Sequence, residues 1–157
     1  MRKVALLFGL LLGGTPLLAP GPAAAAASGA DVFAGTCAVC HGPRAEGVAG
    51  SFPPLGAQIQ AFAQIPAGRD YLVMVVSGGL IGSLTVAGGT YRGAMPAQTA
   101  LSEADVAAVL NYVASGLGKA KARAHPFDAR EVATVRARHP GISGPAALAL
   151  RPPLSEP

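Results

Sequence analysis

The chain is poor in aromatic and in charged residues. It has no tryptophan, aromatic residues make up 5% of its 157 residues, and charged residues make up 13%. Its net charge is only +4, and no basic stretch is interleaved with aromatic side chains, which excludes a typical nucleic-acid-binding surface. Aromatic side chains usually supply much of the apolar area of a core. We therefore expect another large apolar body to complete the core of this protein.

Cysteine is scarce as well, and its placement is informative. The chain has only two cysteines, and both lie in Cys37-Ala38-Val39-Cys40-His41. C-x-x-C-H is the attachment signature of c-type haem. Two thioether bonds would cap thiols that are otherwise reactive in an oxidising compartment, and His41 would reach the iron from the proximal side. The motif predicts one haem c per chain, attached at Cys37 and Cys40 and ligated by His41.

Two other interpretations of a C-x-x-C pair are a thioredoxin-type redox site and half of a zinc site. The redox site expects a βαβ context, and no such alternation surrounds the motif. Zinc would need two more ligands, and the other histidines, His125 and His139, lie far away in a proline-rich tail. Covalent haem is therefore the favoured interpretation.

The first 27 residues have the features of a secretory signal peptide. Arg2 and Lys3 form a basic n-region, residues 4–12 form an apolar h-region, and small residues lead to cleavage choices near Ala27. The apolar run is short for a membrane span, but the alanines at 23–27 lengthen it, so an uncleaved membrane anchor is the alternative. The sequence contains no other transmembrane candidate. We expect export to the periplasm.

The rest of the domain is predicted to be mainly helical. Gly29, Phe33 and Cys37 are spaced by four, which predicts a helix that ends at Gly42 with the haem motif in its last turn. One short helix is expected at 57–62. The apolar run at 70–77 is also predicted as a helix because Asp70 can cap it and Gly78-Gly79 can end it.

The following segments differ in how clearly they are predicted. Residues 78–100 are glycine-rich, and we expect a loop with short extended pieces at 85–86 and 90–91. The clearest helix begins after Ser102, which is an N-cap followed by acidic residues in the first turn. We expect this helix to run to about Ser115.

Residues 119–157 form a C-terminal extension in which two short amphipathic helices bracket His139. Asp128 is expected to cap the first helix, with Glu131 in its first turn, and Ser143 the second, with Pro145 in its first turn. Helices this short are marginal in isolation. The favoured interpretation is an extension that packs on the domain; partner binding and fraying are the alternatives.

Met95 is the predicted second iron ligand. It lies in Gly93-Ala94-Met95-Pro96, where the proline restricts the backbone beside the sulfur. Met1 belongs to the leader, and Met74 lies inside an apolar run and is predicted to be a core residue. A histidine from the extension in place of Met95 would give a bis-histidine haem, but both candidates lie beyond the last domain helix. Methionine and histidine together raise the reduction potential.

The order of these motifs resembles the class I c-type cytochromes, with a single haem, of the bacterial periplasm. The resemblance covers about residues 29–118. Its elements are Gly29 and Phe33, the Cys37-x-x-Cys40-His41-Gly42 motif, the Pro53-Pro54-Leu55 turn, the glycine segment 79–88, Tyr91-x-Gly93-x-Met95-Pro96, and Leu101-Ser102 through Tyr112.

The resemblance implies an all-α fold in which helices wrap around one covalent haem. Together with the leader predicted over 1–27, it gives a cytochrome domain over 28–118. The extension of short helices predicted over 119–157 falls outside the resemblance. The first and last domain helices should cross, bringing Gly29 and Phe33 to Val109 and Tyr112. A carbonyl in the 53–55 turn should accept a hydrogen bond from Nδ1 of His41, which would orient the ring.

The resemblance implies an electron carrier with redox proteins as partners, and not an enzyme. No acid–base constellation accompanies the haem motif, and Met95 closes the distal position that a peroxidase keeps open. One alternative is a haem subunit of a periplasmic dehydrogenase, with the extension as a docking arm, because the segment 79–88 is similar to cytochromes that serve such enzymes. The other is a haem-based sensor with a labile Met95.

Overall fold

The structure, a computed structural model, describes residues 27–120 and 125–154. The predicted leader lies outside the described residues except for Ala27. The described chain is mainly helical, as expected, with one two-stranded antiparallel sheet in addition. None of its helices is long and apolar enough to cross a membrane.

The haem motif ends the first helical segment of the domain. Helix α1 (Gly29–Val32) begins after Ser28, whose hydroxyl accepts a hydrogen bond from the Asp31 N–H. It continues through a π-helical turn (Phe33–Cys37) into α2 (Ala38–His41), which ends at Gly42 as predicted. The wider turn breaks the regular spacing of four on which the helix was predicted, since a π turn inserts one extra residue.

The first segment crosses α5 (Glu103–Ala114), as the resemblance implied. Ser102 caps α5 in a reciprocal capping box with Asp105, which satisfies backbone groups at both positions. A Cβ atom at Gly29 would overlap the carbonyl oxygen of Ala108, so only glycine permits this close approach. The rings of Phe33 and Tyr112 lie 5.7 Å apart across the crossing.

Helix α3 (Ala57–Phe62) matches its prediction, whereas α4 (Pro66–Gly78) begins earlier than expected. Pro66 occupies the first turn, where its fixed φ suits the helix and its missing N–H costs nothing. The prediction that Asp70 caps α4 was therefore wrong. The Asp70 carboxylate instead pairs with Arg138 and His139 of the extension.

A β-hairpin occupies most of the region that was predicted as a loop. Strands β1 (Leu80–Val86) and β2 (Gly89–Met95) pair with Leu80 opposite Met95 and Leu84 opposite Tyr91. Ala87 and Gly88 form the turn, both with positive φ (49° and 77°), as two-residue hairpin turns require. The predicted extended pieces are thus parts of two full strands. The sequence did not predict the full strands because glycine is unfavourable in strand interiors.

The extension forms two helices that pack on the domain, which confirms the favoured interpretation. Asp128 caps α6 (Ala129–Arg138) as predicted, but Gly144, and not Ser143, precedes α7 (Pro145–Ala149). Val132 and Val135 of α6 are fully buried, at 0% exposure. They join one core cluster with residues of α4 and α5, so the extension shares the core of the domain.

Candidate haem-binding site

An apolar cleft lies where α2, α3, α4 and the hairpin meet. Its main part encloses about 860 Å³ of empty space, including space open to solvent, and an adjoining part encloses about 710 Å³. The two parts adjoin each other and share eight lining residues. These are Cys40, His41, Leu55, Ile59, Leu72, Val75, Met95 and Pro96. Few polar side chains line this large space, so the cleft is suited to a bulky apolar ligand.

The attachment motif lies at the edge of this cleft. Cys40 lines both parts of it, and Cys37 lines the adjoining part. Burial raises the pKa of the Cys37 thiol above its ordinary value, because a thiolate is disfavoured away from water. Val39, between the two cysteines, is 83% exposed. The motif therefore connects the cleft to the protein surface.

His41 is oriented by the loop that follows it. The side chain is 8% exposed, and its Nδ1 lies 2.9 Å from the carbonyl oxygen of Pro53. Since a carbonyl can only accept, Nδ1 donates its proton to this hydrogen bond, and in the neutral imidazole Nε2 then carries a lone pair. The loop closes on itself where the Leu55 N–H donates to the Ala45 oxygen at 2.9 Å. The hydrogen bond expected for His41 is present, and it leaves Nε2 available to a metal.

Met95 lines the same cleft but comes from a part of the chain that is distant from the attachment motif. It is the last residue of β2, and it lines both parts of the cleft. The backbone after it is anchored, because the Gln98 N–H donates to Val76 at 2.9 Å and the Gln98 side chain donates to Pro96 at 2.8 Å. The thioether is thus presented from a strand end that is tied to the last turns of α4.

The other candidate ligands lie elsewhere. Met74 is buried in the core, as predicted, and does not line the cleft. His139 is occupied with Asp70, with Nε2 and Oδ2 3.2 Å apart. In residues 27–120 and 125–154, no group of three or more His, Cys, Asp or Glu side chains could hold a metal ion. The structure thus brings together Cys37, Cys40, His41 and Met95, and leaves the alternative ligands outside.

Two parts of the site were not found from the sequence. The first is the wall formed by alternate hairpin residues, which include Leu80, Leu84, Val86 and Tyr91. The period of two was present in the sequence but was interrupted by glycine. The second, Arg151, does not line the cleft but lies beside it, with its guanidinium carbon 5.6 Å from the centre of the Phe62 ring. It carried no signal because the sequence does not show where the extension packs.

The hydrogen bonding of Arg151 bears on whether the cleft suits haem. Its Nε is shielded from solvent and has no hydrogen-bond partner among the described residues. The cleft thus offers apolar walls, two thiols, an imidazole and a thioether, with an unpaired guanidinium nitrogen nearby. This donor set fits a haem, which is apolar in its ring, ligated at its iron and anionic at its propionates.

Comparison with known proteins points in the same direction. A family model described as "Cytochrome c" matches residues 26–116. A "Cytochrome c-552" of Thermus thermophilus is 38% identical over 140 residues, which is 88% of each chain. Another "Cytochrome c-552" of the same species is 39% identical over 114 residues, which is 71% of this chain and 86% of that protein. The family match contains all four predicted site residues.

Proposed function

The chain belongs to the cytochrome c family as a class I c-type cytochrome whose covalent haem c serves electron transfer, and we propose that His41 and Met95 hold the iron and that the protein works in the periplasm. One observation supports the ligand assignment above the others. His41 and Met95 line both parts of a single apolar cleft.

The haem, when bound, supplies an iron that accepts and releases one electron. The chain's contribution is to hold both ligand atoms in place during that exchange. Pro53 orients the imidazole through Nδ1, and the contacts of Gln98 anchor the strand end beside Met95. Apolar side chains line most of the cleft, and a thioether together with an imidazole would raise the reduction potential of the iron. Small rearrangement between the two redox states is the expected consequence.

We propose Cys37 and Cys40 as the two attachment residues. In each linkage the thiol would add across a vinyl group of the haem: sulfur would bond to one vinyl carbon, and the hydrogen would go to the other. No oxidant is consumed, so the reaction requires both thiols in the reduced form. The position of both cysteines at the cleft supports this assignment.

The proposed location rests on the first 27 residues, with their basic start, apolar run and small residues. The proposal divides the chain into a leader over 1–27, a cytochrome domain over 28–118 and an extension over 119–157. Mass spectrometry of the protein isolated from the periplasmic fraction tests it. We expect a start near Ser28; a haem-containing chain that keeps its first residues would contradict the proposed cleavage.

Redox proteins are the proposed partners, as donor and acceptor. The docking-arm interpretation of the extension has little support, because the apolar residues of α6 are buried in this chain's own core. An arm needs exposed apolar surface to bind a partner. The sensor interpretation needs a labile Met95, whereas hydrogen bonds anchor the backbone that follows this residue.

Met95→Ala tests the ligand assignment directly. We expect the wild-type holoprotein to show a near-infrared sulfur-to-iron charge-transfer band, and M95A to lose it completely while the pyridine haemochrome still reports two thioethers. Met74→Leu is the matched control, because Met74 is buried outside the cleft. A band that survives in M95A would contradict the assignment.

A further inference from the structure

The described arginines fall into two groups by their partners. Four of them pair with a carboxylate, namely Arg44, Arg69, Arg136 and Arg138. No carboxylate partner is present among the described residues for Arg92, Arg130 or Arg151. Arg92 and Arg130 are exposed, so water solvates their charges, but Arg151 is half-buried. A partly buried cation without a counter-charge is costly. Arg151 is therefore the one described arginine whose charge is neither paired with a carboxylate nor well solvated.

The surroundings of Arg151 leave one of its donors unused. Nη2 donates to the carbonyl oxygen of Thr85 at 3.0 Å, and the guanidinium carbon lies 5.6 Å from the centre of the Phe62 ring. The charge of Arg151 and a side-chain hydrogen bond between Arg151 and Tyr71 both oppose the rise in the pKa of Tyr71 that burial causes. Nε remains shielded from solvent and has no partner among the described residues.

The neighbours of Arg151 belong to the haem cleft. Phe62 and Tyr71 both line it, and so do Leu84 and Val86 on either side of Thr85. The guanidinium therefore lies beside the wall formed by α3, α4 and β1. Haem carries propionate carboxylates, and a guanidinium binds a carboxylate with two parallel hydrogen bonds. A propionate would supply both the missing counter-charge and the missing acceptor.

We propose that Arg151 binds a haem propionate. The inference goes beyond His41/Met95 ligation and rests only on haem occupying this cleft, as the proposed function requires. Arg151 lies outside the family match at 26–116, so the extension contributes a cofactor-binding residue of its own. Arg92 also lines the cleft, but its exposed charge gains less from pairing, because water already solvates it.

The extension holds Arg151 in place through the hairpin and the core. The Arg151 N–H donates to the Leu148 carbonyl at 3.0 Å, and Leu148 lies against Gly82 of β1. Further back, Val132 and Val135 anchor α6 in the core. These contacts reduce the conformational freedom that Arg151 would otherwise lose when it binds a carboxylate.

Nuclear magnetic resonance of the full-length holoprotein tests the proposal without any substitution. We expect the Arg151 Nε–H proton to exchange slowly with solvent and to show a cross-peak to propionate methylene protons. Arg151→Gln should raise the pH midpoint at which a propionate titrates by about 1 unit or more, because a nearby opposite charge lowers a carboxyl pKa by that amount. Arg151→Lys should restore part of the shift.

Arg130→Gln is the matched control, since Arg130 is exposed on α6 and has no carboxylate partner among the described residues. A propionate midpoint that stays at the wild-type value in R151Q, or that moves only in Arg92→Gln, would overturn the proposal. If R151Q fails to bind haem, absence of the wild-type cross-peak overturns it instead. The charge-transfer band is recorded in parallel. Its absence from the wild-type spectrum would contradict the Met95 assignment without affecting the Arg151 result.

Discussion

The two sides of the haem cleft are built in different ways. On the His41 side, residues 37–55 contain the attachment motif, the candidate ligand His41 and the carbonyl of Pro53 that orients it. On the Met95 side, the candidate ligand Met95 stands at the end of a hairpin that packs against α4 and α7. The first side is therefore local in sequence, whereas the second depends on segments far apart in the chain. We expect the two sides to respond differently to substitution.

Val135→Ala should have the largest effect and act on the Met95 side. It removes buried apolar volume between α6 and the core, which costs about 2–3 kcal/mol of the free energy of unfolding. The Met95 charge-transfer band should be lost at a lower denaturant concentration than the low-spin signal that reports His41. Chemical denaturation followed at both wavelengths measures the separation.

Val39→Ala is the matched control, because Val39 is exposed and should change neither midpoint. If V135A moved both signals together, the cleft would respond as one unit and the contrast between its sides would fail.

Gly29→Ala should have a smaller effect and act on the helical segment that leads into the His41 side. A Cβ at Gly29 overlaps the backbone of Ala108, so α1 must move away from α5 at a cost of about 1–3 kcal/mol. Gly35→Ala is the control one turn and a half along, where a Cβ meets nothing within 4 Å. It should be neutral or stabilise by up to about 1 kcal/mol. Equal midpoints for G29A and G35A in thermal unfolding would refute the close crossing.

The smallest effect concerns two carboxylates: Glu46, in the loop of the His41 side, and Glu103, which pairs with Arg136 of the extension. The pKa of Glu103 is lowered by its backbone N–H and by Arg136 of the extension, and the pKa of Glu46 is lowered by its own N–H and that of Arg44. A lowered folded pKa gives stability above the unfolded pKa that is lost as pH falls through the folded value. Between about pH 5 and pH 3 the wild type should lose stability more steeply than Glu103→Gln or Glu46→Gln.

Denaturation midpoints measured across that range check the prediction. Glu46 is exposed and the Glu103 side chain is 45% exposed, so each slope should change only slightly. A slope that is unchanged in E103Q but reduced in E46Q would show that the Glu103–Arg136 pair contributes nothing to holding the extension.

The helix signals that were local in sequence proved reliable. Ser102 and Asp128 cap their helices as predicted, since a cap depends on a side chain and an N–H three residues away. The errors arose where longer-range contacts decide. Asp70 looked like a cap but pairs with the extension, and the glycine-rich stretch that looked like a loop is a hairpin held between the cleft and α7.

The sequence by itself determined the attachment motif, both candidate iron ligands and the family, because C-x-x-C-H, Met95 beside a proline and the helix caps are short-range patterns. Only the tertiary structure decided that a hairpin forms one wall of the cleft and that Arg151 lies beside it. Backbone pairing lets glycine-rich strands form despite their weak propensity, and burial of Val132 and Val135 determines where the extension runs. Both depend on contacts between distant segments, which no local pattern specifies.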